Sequence, residues 1–204
     1  IHGRAIRQAK SYSFVSCSDE AIESGIVRLT DYSIVDYILG LEKADSSNAN
    51  FYTKSYKTFT LIMQQLIRQY CMGGGNIFVS GSYIGSDMLA FTEQQFTQEI
   101  LKYKSAGTLQ DSFSGEIFGA QRRINIPRKM NETMYAVPKP DCISPVGTAY
   151  TAFAYTSGMK SAGIIYKGRD YRTFVLGFPF ESIMSGEDRA YLMNGILHLL
   201  DSKN

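Results

Sequence analysis

The 204-residue sequence contains no tryptophan, only two histidines and three cysteines, and almost no net charge. Its 21 basic and 19 acidic residues give a formal charge of +2, which is too weak a field to favour nucleic acid or an anionic membrane as a partner. No apolar run approaches the roughly 20 residues that a membrane-spanning helix needs. We therefore expect neither a nucleic-acid partner nor a transmembrane segment.

The scarce cysteines and histidines also argue against a metal or disulfide framework. Cys17, Cys71 and Cys142 are odd in number and lack the pair spacing of zinc sites, so we expect core thiols. His2 and His198 lie at opposite ends of the chain and lack a partner at ligand spacing. The sequence predicts no metal site and no cofactor.

Strand and helix patterns alternate through the first half of the chain. The apolar residues from Phe59 to Cys71 recur at the spacing of one helical face, and a glycine triplet at Gly73 ends that helix. Such alternation is typical of right-handed crossovers, so we predict a doubly wound, mainly parallel α/β sheet flanked by helices. The other predicted elements are strands at Ser11–Cys17, Asp31–Leu39 (as a buried central strand) and Asn76–Ser80, and helices that begin at Ser18 and Thr92.

The pattern changes after Ser105. Residues 105–145 contain four of the five prolines and predict an irregular insertion with hairpin strands at Glu116–Phe118 and Arg122–Ile126. The last third predicts a C-terminal hairpin and a final helix capped by Ser185. We expect residues 1–204 to form a single domain, and the start at Ile1 instead of Met predicts a piece of a longer chain. The predicted strands of the last third are Ala149–Tyr155, Ser161–Tyr166 and Arg172–Phe178.

The turn after the Asn76–Ser80 strand is the first place to expect a ligand, because sites in open parallel sheets gather where strands end. One interpretation is a phosphate cradle, although the glycine spacing matches neither common phosphate loop. Another makes Ser82 a hydrolase nucleophile, although Ile84 stands where a small residue is needed and no histidine is well placed. The predicted ligand-binding residues are Ser80, Gly81, Ser82, Tyr83, Gly85 and Asp87.

The same region resembles the nucleophile elbow of class I glutamine amidotransferases. A helix ended by glycines, an apolar strand and Gly81-Ser82-Tyr83-Ile84-Gly85 parallel that family's Gly-x-Cys-x-Gly pattern, with Tyr83 in the cysteine's place. The family's His-Pro-Glu motif falls on the late strand, with Pro179 at the histidine position and Glu181 at the glutamate position. The resemblance implies the amidotransferase-like (flavodoxin-like) fold, with two of the three catalytic roles empty.

Longer phrases resemble a group of secreted or cell-surface Bacteroidetes proteins labelled xanthan lyase-like. These phrases are IHGRAI, SYSFVSCSDEAIESG, VDYILGLEK, GGNIFVSGSYIGSDM and VLGFPFESI. The resemblance implies a module of a larger secreted, periplasmic or surface protein. A polysaccharide lyase would need a base and a charge-neutralising group, and Tyr83 and the Arg122–Arg123 pair are candidates for these roles.

Three hypotheses follow. The first is a non-catalytic module that binds a glycan, a peptide or a neighbouring domain, with Ser82, Tyr83, Asp87 and Glu181 lining one concave site. The second is a carbohydrate-active lyase or hydrolase, or a serine esterase that uses Ser82. The third is a structural spacer whose strand-end turn is merely well packed. The catalytic candidates are thus Ser82, Tyr83 and Glu181.

Overall fold

The structure is a computed structural model that describes residues 1–9, 11–44, 56–109, 113–129 and 136–202. Helices and strands alternate up to residue 108, and strands then predominate until the last helix. The helices are α1 (His2–Gln8), α2 (Asp19–Glu23), α3 (Leu61–Met72), α4 (Phe91–Glu99) and α5 (Gly186–Asp201), with 3-10 helices at Leu29–Asp31 and Phe180–Ser182. The strands are β1 (Ile34–Gly40), β2 (Asn76–Gly81), β3 (Tyr103–Thr108), β4 (Glu116–Gly119), β5 (Arg122–Asn125), β6 (Asp141–Pro145), β7 (Tyr150–Tyr155), β8 (Ser161–Lys167) and β9 (Arg172–Leu176).

Seven strands form a mixed sheet in the order β1-β2-β9-β8-β7-β4-β5. Strands β1, β2 and β9 run parallel. Every other neighbouring pair of that sheet is antiparallel. Strands β3 and β6 form a separate two-stranded antiparallel sheet. The parallel part is thus confined to three strands at one side.

The predicted doubly wound, mainly parallel sheet is therefore wrong. A parallel connection needs a dozen or more residues, usually with a helix, whereas residues 156–160 join β7 to β8 and residues 168–171 join β8 to β9. Such short connections permit only antiparallel hairpins. The prediction extended the strand–helix alternation of residues 31–101 to a later region whose described residues, 102–109, 113–129 and 136–176, contain no crossover helix.

The position of β1 is a second correction. The prediction placed this apolar strand at the centre of the sheet, but it forms one edge of the seven-stranded sheet. Val35 and Tyr37 pack on the cluster that includes Phe59, and Ile34 packs on the other cluster, whereas Ile38 is 48% exposed. An edge strand that is partly covered can thus be as apolar as a central one, so composition did not determine its place.

Most local predictions are confirmed, with one clear exception. Helix α3 begins after Thr60, whose Oγ1 accepts a hydrogen bond from the Met63 amide (3.1 Å), and ends at Gly73. The hairpins β4–β5 and β8–β9 form as expected. Residues 11–17 form no strand; most of them are exposed, and the Phe14 ring lies against Gly3 of α1.

Each face of the large sheet covers a hydrophobic cluster. Along β2, Phe78 faces the cluster that holds the buried residues of α5, whereas Ile77 and Val79 face the cluster that holds those of α3 and α4. This alternation follows from the two-residue period of a strand. The turn that follows β2 therefore starts between two well-packed layers.

The hydrogen bond that caps the N-terminus of α5 can be tested by mutation. Ser185 Oγ accepts a hydrogen bond from the Asp188 amide (3.2 Å), and α5 buries Met193 and Ile196. We expect Ser185→Ala to lower the free energy of unfolding by about 1 kcal/mol, because one N-terminal amide of the helix loses its acceptor. Urea denaturation measures the change, and Ser185→Asp, which keeps an acceptor, is the control. Equal losses in the two variants would contradict the capping role.

Candidate functional site

The turn of residues 82–87 leaves the end of β2 beside the ends of β1 and β9. The Ser82 amide donates to the Gly40 carbonyl (2.9 Å), which ties the turn to the end of β1. A side chain on Gly81 would place its Cβ 2.8 Å from Leu39 Cβ, so only glycine allows this close approach. The Ser80 and Ser82 side chains are buried, and their hydroxyls have no hydrogen-bond partner among the described residues.

Asp141, which the sequence did not point to, closes the turn. One of its carboxylate oxygens, Oδ2, accepts hydrogen bonds from the backbone amides of Gly85 (2.7 Å) and Ser86 (2.8 Å). Two further hydrogen bonds position Asp141 itself: its amide donates to the Gly177 carbonyl (2.8 Å), and the Tyr155 hydroxyl donates to the Asp141 carbonyl (2.9 Å). The turn thus binds a carboxylate of its own chain.

The Asp141 carboxyl has an unusual ionisation because it is fully buried. Burial raises its pKa from 3.8 to about 6. The hydrogen bonds from Ser86 and Gly85 act in the opposite sense, and the charge of Asp87 adds to the rise. At neutral pH the carboxylate is charged and depends on the two amides for its stabilisation.

Gly85 gives the carboxylate room to approach. A Cβ at this position would lie 3.1 Å from Ser105 Oγ and 3.3 Å from Asp141 Oδ2, which is tight for either neighbour. Gly85 thus lets an anion approach the turn, as in the phosphate-cradle interpretation, but the anion is the carboxylate of Asp141.

Tyr83 lies half-buried in the turn, under the ammonium of Lys43, which is 5.3 Å from the ring centroid. Burial, and secondarily the charge of Asp141, raise the pKa of the phenol above its usual value of 10. The phenol is therefore protonated at neutral pH. A protonated phenol is neither a ready base nor a ready nucleophile.

Asp87 binds the chain that precedes α3. Its Oδ2 accepts hydrogen bonds from the Thr58 hydroxyl (2.8 Å) and amide (3.1 Å) and from the Ala44 amide (3.3 Å). The Lys57 ammonium lies 3.8 Å from the same oxygen. These contacts hold the turn against neighbouring loops.

Glu181 takes part in a different cluster. His2 Nδ1 lies 2.8 Å from Asp36 Oδ2, and His2 Nε2 lies 3.1 Å from Glu181 Oε2. Burial lowers the pKa of the imidazole, but the hydrogen bonds and charges of Asp36 and Glu181 outweigh this effect and raise the pKa from 6.5 to about 9. A protonated His2 therefore bridges two carboxylates and fastens α1 to the sheet.

The structure thus divides the predicted site residues into three sets. Ser82, Tyr83 and Gly85 share the turn with Asp141, Asp87 binds residues 44 and 58, and Glu181 binds His2. The predicted common concave site of Ser82, Tyr83, Asp87 and Glu181 stays a prediction. His2 and Asp141 were missed because the groups that their side chains bind are 34 or more residues away in sequence, a separation that leaves no local pattern.

The described residues also form a cleft of about 260 Å³ at the amino ends of the parallel strands, away from the turn. Its walls include Ile34, Asn76 and Arg172, the first residues of β1, β2 and β9. The Asn76 amide group donates to the Leu200 carbonyl (2.9 Å), and Arg172 donates to the Leu199 carbonyl (2.7 Å). These side chains hold the last turn of α5.

Within the described ranges, no group of three or more His, Cys, Asp or Glu side chains has an arrangement that could hold a metal ion. No described helix is both long enough and apolar enough to span a bilayer. The cysteines are all free, and Cys71 and Cys142 are buried as predicted, whereas Cys17 is exposed.

No protein-family model and no curated protein sequence matches the chain. The resemblances to amidotransferases and to the xanthan lyase-like group therefore stay predictions.

Solved structures do share the fold. The chain is similar to the family GH42 β-galactosidase Gan42B of G. stearothermophilus, with a TM-score of 0.53, 11% identity and coverage of 87% of this chain and 23% of that one. It is also similar to the exo-β-1,4-mannosidase Op5Man5 of an Opitutaceae bacterium, strain TAV5, with a TM-score of 0.60, 8% identity and coverage of 100% and 31%. A third similar structure, the mmIFT52 N-terminal domain, has a TM-score of 0.58, 14% identity and coverage of 97% and 88%.

At these identities the likeness shows a common fold only. The chain spans less than a third of each of the two glycoside hydrolases but most of the mmIFT52 domain. The fold thus occurs both as part of carbohydrate-active enzymes and in a separately solved domain.

The His2 cluster predicts a specific pH dependence of stability. Because the pKa of His2 in the folded chain (about 9) exceeds its value of 6.5 in the unfolded chain, the stabilisation is complete below pH 6.5 and is lost as the pH rises through 9. The separation corresponds to about 3 kcal/mol. We expect the free energy of unfolding to fall by about that much more in the wild type than in His2→Gln between pH 6 and about 10. Urea denaturation at the two pH values measures both chains, and parallel pH profiles would contradict the cluster's role.

Proposed function

We propose that the chain is a non-catalytic module of a larger carbohydrate-processing protein, at the cell surface or secreted. Its partner would be a neighbouring domain, a peptide or a glycan, bound through the loops at the carboxyl ends of β1, β2 and β9. The main support is that the Gly85 and Ser86 amides already donate hydrogen bonds to the Asp141 carboxylate. These amides lie at the turn where a ligand or an oxyanion would otherwise bind.

The chemistry of the turn supports a non-catalytic role. A serine nucleophile needs an adjacent base and access to substrate. Ser82 is 1% exposed, and its hydroxyl has no hydrogen-bond partner within the described ranges. His2, one of the two histidines, is bound between Asp36 and Glu181. Tyr83 carries a phenol whose pKa is raised, which disfavours the anionic form that a lyase base requires.

The similar structures support the larger context. In Gan42B and Op5Man5 the matched part is 23% and 31% of a glycoside hydrolase chain. A fold that accounts for so small a part of an enzyme is well suited to an accessory role, and its carbohydrate context is the coarse feature that this proposal adopts.

Among the three kinds of partner, the surface beside the turn favours a protein domain. Leu89 and Phe91 follow the turn directly and are 70% and 76% exposed. Two large exposed apolar side chains so close in sequence favour a contact with protein. The ion pair between Lys57 and Glu93 (3.0 Å) adds charged groups near this segment.

An activity screen tests the non-catalytic proposal. The 204-residue chain is assayed on acidic and neutral polysaccharides and on aryl esters, beside Ser82→Ala and Tyr83→Phe. We expect no turnover above the uncatalysed rate in any of the three proteins, because the turn offers no activated nucleophile or base. Tyr150→Phe, on β7, is the matched control for removal of a phenol hydroxyl. Turnover that disappears in Ser82→Ala or Tyr83→Phe but persists in Tyr150→Phe would establish an enzyme instead.

A further inference from the structure

We propose that the amides of Gly85 and Ser86 form a carboxylate-binding site, which the Asp141 side chain occupies and which a free carboxylate binds when that side chain is removed. The inference goes beyond the proposed function, because it concerns what the turn recognises and not which partner the module contacts.

The donor geometry is that of an anion site. Both amides converge on a single oxygen, at 2.7 and 2.8 Å, distances typical of charge-assisted hydrogen bonds. Successive backbone amides in a turn commonly form concave anion sites. The donors belong to the turn and the acceptor to β6, 55 and 56 residues further along the chain.

The site suits a small anion bound through one oxygen. The other oxygen of Asp141, Oδ1, is buried and has no hydrogen-bond partner among the described residues. The two amide hydrogen bonds both involve Oδ2, and formate or acetate supplies an equivalent oxygen.

The surroundings select for the charge and size of a carboxylate. Gly85 lacks the Cβ that would crowd the anion, and Asp141 is 0% exposed, so its side chain fills a closed space. The negative charge of Asp87 acts on the same site, as its effect on the Asp141 carboxyl shows. A nearby negative charge disfavours a dianion more than a monoanion, so carboxylates are preferred over sulfate or hydrogen phosphate.

Chemical rescue tests the proposal. Asp141→Ala removes the carboxylate and leaves space of formate size, with both amides unsatisfied. The folding equilibrium constant of this variant is measured by urea denaturation in sodium formate and in sodium chloride at equal concentration. We expect formate at ten times its dissociation constant to raise the constant about tenfold over chloride. If Asp141→Ala is unfolded in chloride, the same comparison is made by circular dichroism as recovery of the folded chain.

Three control proteins separate specific binding from a general salt effect. The wild type keeps its own carboxylate, Asp141→Asn keeps an amide oxygen as acceptor, and Asp141→Leu fills the space without an acceptor. None of them should respond to formate more than to chloride, and sulfate should not rescue Asp141→Ala. An equal response of Asp141→Ala and Asp141→Leu to formate, or no response of Asp141→Ala, would overturn the proposal. Either result would leave the activity screen to decide the non-catalytic role separately.

Discussion

The hydrogen bonds from the Gly85 and Ser86 amides to the Asp141 carboxylate join the turn after β2, in the parallel part of the large sheet, to β6 of the small antiparallel sheet. The Tyr103 hydroxyl of β3 reinforces this junction, because it donates to the Ile84 carbonyl of the same turn (2.6 Å). The Asp141 backbone extends the connection to the end of β9 through Gly177. A side chain on Gly177 would place its Cβ 2.2 Å from the Asp141 carbonyl oxygen, so this approach also depends on glycine.

The same interaction determines what the turn can do chemically. Two convergent amides would stabilise an oxyanion in an acyl-transfer enzyme, but an internal carboxylate that already holds them removes this function. Its charge also helps to keep the Tyr83 phenol protonated. Burial disfavours the charge of Asp141, and the hydrogen bonds from Ser86 and Gly85 offset part of this cost. The proposed non-catalytic role and the proposed carboxylate site thus rest on the same interaction.

Local structure could be predicted from the sequence where a helix or strand buries one face against a single neighbouring layer, because its apolar residues then recur at a regular spacing. The spacing of Met63, Ile67 and Tyr70 predicted α3 because all three face the same sheet. The strand order could not be predicted: β9 pairs with β2 in a register such as Ile77 with Thr173, which no local pattern records. The turn was found through its glycines and its place after a strand. Asp141, however, begins a strand 55 or more residues further along the chain, and Glu181 binds a histidine near the other end of the sequence.

The central claim is that the Gly85 and Ser86 amides bind the Asp141 carboxylate, and a titration of Asp141 tests it most directly. In an NMR titration, the side-chain carboxyl carbon of Asp141 and the amide protons of Gly85 and Ser86 report on the same hydrogen bonds. The account predicts that all three signals shift together with a midpoint at about pH 6. A carboxyl that titrates at its ordinary value, near 3.8, with Gly85 and Ser86 amide protons that do not follow it, would contradict the closed turn.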